Sequence, residues 1–337
     1  MFILLSFLFA YSLGIIYYIL WTKIFSGLPL NTYSNPLFSD NTEIKSIQVI
    51  HKHKITEEHI LLTLKYDSLS EKIYTDSGVL PGEYIKIYVP IDNLENKDYI
   101  KEIPTNQYFP ELNNNVLTIQ RKYNIVNNCP ENGTFDLLIK VYSDDSTGDT
   151  GKVSRYLNSL NPRNFKESNE SQARIWASGP HGQFAYISPG KINAPAGDII
   201  TFSHISFLAA GTGITPIIPI IDAIVKDVND YTKVSLIYAN KNEKSILFKD
   251  YLDSLIHSSY NIDNIHYVIE SNEPNDTLNE DFSIGRIDKN IIKKYIGFEK
   301  NFNKASQGII FICGPHEFNI QCKSNLKQSG FHTSFYF

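Results

Sequence analysis

Hydrophobic and polar positions alternate along most of the chain, and the period of this alternation changes in its second half. The early segments IKSIQVIHKHKI, HILLTLKY and EYIKIYVPI have a period of two and are separated by turn-forming residues, which is typical of half-buried strands. VLTIQRKYNIV and FDLLIKVYS extend this series. Several short strands in succession predict an antiparallel β-barrel, or alternatively a sandwich, over residues 43–190. Two polar stretches inside this region, 92–115 and 163–173, are predicted surface loops.

From about residue 199 onward, apolar strands alternate with amphipathic helices. ISFLAA, KVSLIYAN, IHYVIE and GIIFICG have the composition of buried strands, whereas ITPIIPIIDAIVKDV, EKSILFKDYLDSLI and residues 317–328 are predicted helices. This alternation predicts a doubly wound parallel sheet with helices on both faces, in an α/β domain over residues 191–337. The fold class is therefore β + α/β. One further helix, GKVSRYLNSL, is predicted within the β domain.

The first 22 residues form an apolar segment without a charged side chain. At about 1.5 Å per residue, a helix of this length crosses a hydrocarbon core of roughly 30 Å. We therefore predict a transmembrane anchor at residues 1–22 and a polar tether at 23–42. A cleaved signal peptide is the alternative, but no basic residue precedes the apolar run and no small-residue cleavage site follows it.

Charge and cysteine content narrow the possible partners. The formal net charge of −5 provides no large basic field, so nucleic acid is not expected as a partner. The three cysteines lack CxxC spacing, which argues against a disulfide framework and a structural zinc site. The nine histidines are scattered, and no metal site is predicted.

Two motifs at strand ends of the α/β domain suggest nucleotide binding. In FLAAGTGITPII an apolar strand runs into Gly211 and Gly213 and then into a helix, and such a turn lets backbone N–H groups approach a phosphate. In IIFICGPHEF, Cys313 ends another strand, and the carboxyl ends of parallel strands form the ligand crevice of these sheets. A purely structural glycine turn and a buried apolar cysteine are the alternatives.

Two further motifs lie in the β domain. In QRKYNIV, Arg121 can grip a diphosphate through two hydrogen bonds, and Tyr123 can lie against a flat ring. Residues 151–154, GKVS, precede the predicted helix and form a second possible anion site, or simply a helix cap.

These motifs, in this order, resemble the ferredoxin reductase superfamily, in which an FAD-binding β-barrel precedes an NAD(P)-binding α/β domain, and in particular its cytochrome b5 reductases. FLAAGTGITPII is similar to the family's GGTGITPM, and ICGPHEF to its CGPPPM. IKVYS with GKVSRYLNSL resembles IKVY with GKMSQYL, and IYANKNEKSIL resembles FANQTEKDIL. The similarity extends from about residue 44 to the last residue.

The resemblance implies FAD and NADH as cofactors. It places at FAD the residues Arg121, Tyr123, Asn124, Lys140, Tyr142, Gly151, Lys152, Val153, Ser154 and Thr215. It places at NADH the residues Gly211, Thr212, Gly213, Glu270, Cys313, Gly314 and Pro315. Thr215 and Cys313 would lie at the point of hydride transfer and are the implied catalytic residues. A carboxylate at Glu270 can accept from ribose hydroxyls and repel a 2′-phosphate, which favours NADH over NADPH.

The implied function is an oxidoreductase that takes hydride from NADH onto FAD and passes single electrons to cytochrome b5. It would act as a membrane-anchored monomer with a cytosolic catalytic domain, at the endoplasmic reticulum or the mitochondrial outer membrane. Another acceptor, such as a quinone, a ferric chelate or a different haem protein, is the alternative, and a flavin-free membrane scaffold is a further one. Asn124 departs from the family pattern by replacing a serine or threonine, and His316 and Glu317 depart from it by replacing prolines.

Overall fold

The structure, a computed structural model, describes residues 36–65, 76–90, 100–103, 116–142, 151–162, 174–270, 282–296 and 308–337. The predicted anchor at residues 1–22 lies outside these ranges, as does most of the predicted tether. Within them, no helix is long and apolar enough to cross a membrane. The anchor therefore stays a prediction.

The first half of the described chain forms an eight-stranded antiparallel sheet, which confirms the predicted antiparallel β domain. Its strands are β1 Lys45–Lys54, β2 His59–Lys65, β3 Tyr84–Pro90, β4 Ile100–Ile103, β5 Val116–Tyr123, β6 Ile125–Cys129, β7 Thr134–Lys140 and β8 Arg174–His181. They pair in the order β4-β5-β3-β8-β1-β2-β7-β6. Only Asn124 separates β5 from β6, although these strands lie toward opposite ends of that order. The sheet therefore curls around on itself.

Alternating side chains fill the inside of this curled sheet. Ile47 and Val49 of β1 are buried there together with Leu62 and Leu64 of β2. Helix α1, Lys152–Ser159, contributes Val153 and Leu157 to the same core. The apolar positions of the period-two pattern thus lie on the inner face of the sheet.

The predicted surface loop at 92–115 is partly wrong, because β4 lies within it and pairs with β5 along its whole length. Backbone pairing with a neighbouring strand overrides the polar composition that suggested a loop. The predicted loop at 163–173 lies outside the described residues.

The second half contains a six-stranded parallel sheet, as predicted. Its strands are β12 His204–Ala210, β13 Lys233–Asn240, β14 Ile262–Ile269, β15 Phe282–Ile284, β16 Gly308–Cys313 and β17 Phe335–Tyr336, in the order β15-β14-β13-β12-β16-β17. A three-stranded antiparallel sheet of β9 Ala185–Ser188, β10 Lys191–Asn193 and β11 Ile199–Thr201 precedes it. Helices are α2 Ile217–Lys226, α3 Lys249–Ser258, α4 Lys289–Tyr295 and α5 His316–Gln328.

Helices cover both faces of the parallel sheet. Phe207 packs with α2 and α3 on one face, while its neighbour Leu208 packs with α4 and α5 on the other. Consecutive side chains of a strand point to opposite faces, so a strand buried on both sides becomes a continuous apolar run. This is why ISFLAA lacks the alternation of the earlier strands.

The single helix predicted over EKSILFKDYLDSLI is wrong. The chain forms a 3-10 turn at Glu243–Ser245, and α3 begins only at Lys249. Asn242 and Ser245 cap the turn reciprocally, and Phe248 adopts a left-handed φ of 58°. The apolar residues Ile246 and Leu247 are buried between the two helical pieces. Two consecutive apolar residues match a helical face as well as a capped turn, so the sequence pattern alone predicts one continuous helix.

One apolar cluster joins the two sheets. Val126 and Leu138 of the curled sheet belong to the same buried cluster as α2 of the parallel-sheet region. Phe184, which precedes β9, packs edge-on against Phe311 with 5.1 Å between the ring centres. Phe337 stacks on Phe311 with 4.6 Å between the ring centres. This junction fixes the walls of the space between the two sheets relative to each other.

The buried carboxylate of Asp230 connects β9 to the loop before β13 through hydrogen bonds. Asp230 is completely buried and accepts hydrogen bonds from the Tyr186 hydroxyl and from the Thr232 backbone N–H, the latter at 2.9 Å. Burial, reinforced by the hydrogen bond to Asp230, raises the pKa of Tyr186 well above its ordinary value. Tyr186 therefore stays a neutral donor that links β9 to the loop before β13.

Replacing Tyr186 with phenylalanine should lower the free energy of unfolding by about 2 kcal/mol, because a buried carboxylate loses one of its donors. The control is Tyr231→Phe, at a side chain that is 74% exposed, where a change within about 0.5 kcal/mol is expected. Urea unfolding of both variants measures the difference. Equal stability of Tyr186→Phe and Tyr231→Phe would contradict the role given to this bond.

Candidate active site

A cleft of about 720 Å³ opens between the curled sheet and the carboxyl-terminal edge of the parallel sheet. The curled sheet and its turns contribute Glu58, His59, Asn124, Lys140 and Tyr142. The segments that follow β12, β13, β14, β15 and β16 contribute residues that include Gly211, Lys241, Glu270, Arg286 and Gly314, and Cys313 at the end of β16 also lines the cleft. Open α/β sheets bind ligands at this edge, so the cleft is the candidate site.

The glycine turn after β12 forms one part of the cleft. A Cβ atom on Gly213 would lie 2.0 Å from the carbonyl oxygen of Cys313, so the turns that follow β12 and β16 touch through their backbones. Gly211 has a φ of 52°, and a Cβ atom there would meet no heavy atom of the described residues within 4 Å. The Tyr238 hydroxyl donates to the Gly211 carbonyl at 2.9 Å and holds the turn. The result is a fixed backbone surface with open space beside it.

Cys313 and Gly314 form the adjacent part. A Cβ atom on Gly314 would lie 2.6 Å from the ring of Phe318, so any larger residue there would displace that ring. Burial raises the pKa of the Cys313 thiol to about 12, so the side chain is protonated at neutral pH. A thiol is a weak nucleophile compared with a thiolate. Cys313 is therefore suited to neutral contact with a ligand rather than to covalent chemistry.

The opposite wall carries an ion pair that the sequence did not indicate. Lys140 Nζ lies 3.0 Å from Glu58 Oε2 and 5.4 Å from the centre of the Tyr142 ring. The hydrogen bond from Lys140, together with its positive charge, holds the pKa of the Glu58 carboxyl below its usual value. Burial, with the charge of Lys140 second, lowers the pKa of His59, which is therefore neutral at pH 7. The residues meet because His59 pairs with Lys140 across β2 and β7.

Asn124 connects the two walls. Its Nδ2 donates to the Glu83 carbonyl at 2.8 Å, which leaves Oδ1 facing the Thr215 hydroxyl at 3.4 Å. The Thr215 hydroxyl also lies 3.0 Å from the Thr212 carbonyl. The amide that replaces the serine or threonine of the family thus supplies a donor and an acceptor on separate atoms.

Most of the predicted site residues meet in the cleft. They are Asn124, Lys140, Tyr142, Gly211, Thr212, Gly213, Thr215, Glu270, Cys313, Gly314 and Pro315. The other predicted residues, which the structure also describes, lie outside its lining: Arg121, Tyr123, Gly151, Lys152, Val153 and Ser154. Their assignment to a cofactor stays a prediction.

This second group adjoins the cleft through Tyr142. The Tyr142 backbone N–H approaches Ser154 Oγ at 3.4 Å, and Ser154 Oγ donates to the Gly151 carbonyl at 3.0 Å. Gly151, at a φ of 87°, leads into α1. Val153 is buried in the core of the curled sheet and Tyr123 packs against that core. The start of α1 therefore lies beside the wall that carries Lys140.

The residues present fit a dinucleotide. Two glycine-containing turns give backbone N–H groups access to phosphate oxygens, and Lys140, Lys241 and Arg286 bring cations to the same cleft. The exposed Glu270 follows β14, and its N–H donates to the Asn240 carbonyl at 3.1 Å. A carboxylate in this position can accept hydrogen bonds from ribose hydroxyls.

Comparisons with known proteins agree with this geometry. Residues 94–186 match the oxidoreductase FAD-binding domain, and residues 207–323 match the oxidoreductase NAD-binding domain. The plasma membrane-associated coenzyme Q6 reductase of Saccharomyces cerevisiae is 27% identical over 320 residues, which cover 95% of this chain and 81% of that protein. NADH-cytochrome b5 reductase 1 of Meyerozyma guilliermondii is 30% identical over 213 residues, which cover 63% of each chain.

The fold is also found among solved structures. The cytochrome b5 reductase domain of Ulva prolifera nitrate reductase superposes with a TM-score of 0.68 at 24% identity, covering 90% of this chain and all of that one. This likeness concerns the fold alone. It agrees with an antiparallel-sheet domain followed by a parallel-sheet domain.

A Gly213→Ala substitution tests the contact between the two turns. The added Cβ atom must displace the Cys313 carbonyl, and we expect a loss of about 2–3 kcal/mol in the free energy of unfolding. Gly211→Ala is the matched control, because there the cost is only that of a left-handed alanine, about 1 kcal/mol. Thermal or urea unfolding compares them, and a Gly213→Ala protein at least as stable as Gly211→Ala would refute the contact.

Proposed function

We propose that this protein transfers hydride from NADH to FAD and delivers single electrons to cytochrome b5. The chain carries the FAD-binding and NAD-binding oxidoreductase domains of the ferredoxin–NADP reductase family. The observation that carries the proposal is the cleft itself. One wall comes from the FAD-binding domain and the other from the NAD-binding domain, so two cofactors can meet between them.

The protein's part in this reaction is to bind and orient, since FAD supplies the chemistry of accepting a hydride and releasing electrons singly. The Gly211–Gly213 turn, with Gly314 and Pro315, would hold the nucleotide phosphates against backbone N–H groups. Lys140 would face the same phosphates from the opposite wall, oriented by Glu58.

The flavin would be held from the side of the curled sheet. Arg121 and residues 151–154 would bind its diphosphate, and Tyr123 would lie along the ring or the ribityl chain. Thr215 would approach the ring from the other wall, next to the neutral thiol of Cys313. Glu270 would accept from the adenosine ribose and disfavour a 2′-phosphate.

Cytochrome b5 is the proposed acceptor because two of the similar proteins, one from Meyerozyma guilliermondii and one from mouse, are NADH-cytochrome b5 reductases. A quinone is the second candidate, favoured by the Saccharomyces cerevisiae coenzyme Q6 reductase, whose similarity extends over 95% of this chain. The matches to FAD-binding and NAD-binding domains argue against a flavin-free scaffold.

We further propose that the protein is a monomer held by residues 1–22 at the endoplasmic reticulum or the mitochondrial outer membrane, with its catalytic domains in the cytosol. An uncharged apolar segment of that length supports the anchor. Confinement of reductase and acceptor to one membrane would raise their effective concentration.

The proposed function is tested by the visible absorption spectrum of the full chain, purified in detergent without added flavin and then titrated anaerobically with NADH or NADPH. We expect a yellow protein that NADH bleaches at lower concentration than NADPH does. Steady-state assays with cytochrome b5 and with a short-chain quinone then identify the acceptor. A colourless protein, or one that NADH does not reduce, would refute the proposal.

The proposed contact with cytochrome b5 includes Lys152, at the start of α1. Reversing this charge in Lys152→Glu should lower kcat/KM for cytochrome b5 about tenfold, because docking of an acidic partner depends on complementary charge. Because the proposed function also assigns Lys152 to the FAD diphosphate, both assays are made at saturating FAD, where activity with ferricyanide should stay within twofold. The control is Lys191→Glu, at an exposed lysine of β10. Unchanged transfer to cytochrome b5 in Lys152→Glu would exclude this contact.

A further inference from the structure

The basic run His51-Lys52-His53-Lys54 at the end of β1 has no place in the function described so far. Lys52 differs from its neighbours in the run, because its Nζ donates to the carbonyl oxygens of Asn158 at 2.5 Å and Leu160 at 2.8 Å. These carbonyls belong to the last turn of α1 and to the residue that ends it. A lysine of β1 therefore caps the carboxyl end of a helix that lies about a hundred residues later in the chain.

A β-bulge directs Lys52 to this position. The register between β1 and β2 shifts between Val49 and His51, so that Lys52 pairs with Leu62. Directly paired residues project from the same face of a sheet, and Leu62 is completely buried inside the curled sheet. An uninterrupted alternation from Ile47 and Val49 would have sent Lys52 outward. The bulge turns it toward the inside, where α1 packs.

Helix α1 depends on such tertiary contacts. It has eight residues, and isolated helices of this length are unstable in water. Two apolar side chains, Val153 and Leu157, bury it against the curled sheet. At its carboxyl end the unsatisfied carbonyls carry partial negative charge, and a lysine cation both satisfies and neutralises them.

We propose that Lys52 is a positioning residue for FAD: it keeps α1 folded, so that residues 151–154 at the opposite end are ready to bind the FAD diphosphate. This inference rests on the proposed function, which assigns those residues to FAD. If only a fraction of the molecules has α1 folded, the apparent affinity for FAD falls by that fraction. Loss of the cap thus weakens FAD binding although Lys52 itself is remote from the start of the helix.

The test is the dissociation constant of FAD, measured by quenching of FAD fluorescence on the flavin-stripped full chain in detergent. Lys52→Met, which keeps the aliphatic stem, should weaken FAD about tenfold. Lys52→Arg should stay within threefold of the wild type, because it restores a cationic donor. Lys54→Met is the matched control, since Lys54 projects from the same face of β1 but is exposed, and it should leave FAD binding unchanged.

Hydrogen exchange provides a readout that needs no bound flavin. In flavin-free Lys52→Met, the backbone amides of residues 155–159 should exchange faster than in the wild type, and saturating FAD should restore their protection. Unchanged exchange, or FAD binding within twofold of the wild type, would overturn the proposal. Equal weakening in Lys54→Met would also overturn it, since the cause would then be general surface charge. A wild-type chain that binds no FAD would instead refute the proposed function, and this inference with it.

Discussion

The apolar junction between the two sheets is the constraint on which the site depends. Neither wall of the cleft contains a complete set of binding groups: Lys140, beside Tyr142, lies on the curled sheet, and the glycine turns lie on the parallel sheet. Phe184, Phe311 and Phe337 belong to different parts of the chain, and the centres of their rings lie 4.6–6.3 Å apart. Because interiors are close-packed and yield little, this contact holds the two walls in one arrangement.

Charge in the cleft is balanced rather than uniformly positive. Lys140, Lys241 and Arg286 share the lining with Glu58, Glu270 and Glu317. The Glu58 side chain is 52% exposed, so its pairing with Lys140 contributes at most about 1 kcal/mol to stability. Its consequence is geometric: the carboxylate holds the Lys140 cation over the cleft. A site that must bind an anionic nucleotide and then release it benefits from cations that are already partly neutralised.

Local patterns predict β1–β3, β5–β7, the four central strands of the parallel sheet and the glycine turns, because burial on one or both faces leaves a period in the sequence. They miss β8, the three-stranded sheet and the edge strands β15 and β17. They were insufficient wherever the outcome depends on which strands become neighbours. Glu58 and His59 reach the cleft only because β2 pairs with β7, and β4 forms only because β5 lies beside it. The bulge near Ile50, which redirects the side chains that follow it, likewise has no signature in an alternating run such as IHKHKI.

The starts of α1 and α2, which the proposed function assigns to the two cofactors, are stabilised differently. Helix α2 begins directly after the turn that Gly213 locks against Cys313, and Ile217, Ile220, Ile221 and Ile224 bury it in the shared core. Helix α1 is shorter, and it is held by the buried side chains of Val153 and Leu157 and by the Lys52 cap. The glycine turn of the cleft is therefore built by the core of the fold, whereas the start of α1, which lies beside the cleft, relies on a few separable contacts. Changes of sequence can alter the second without disturbing the first, so under the proposed function flavin affinity would be more adjustable than nucleotide affinity.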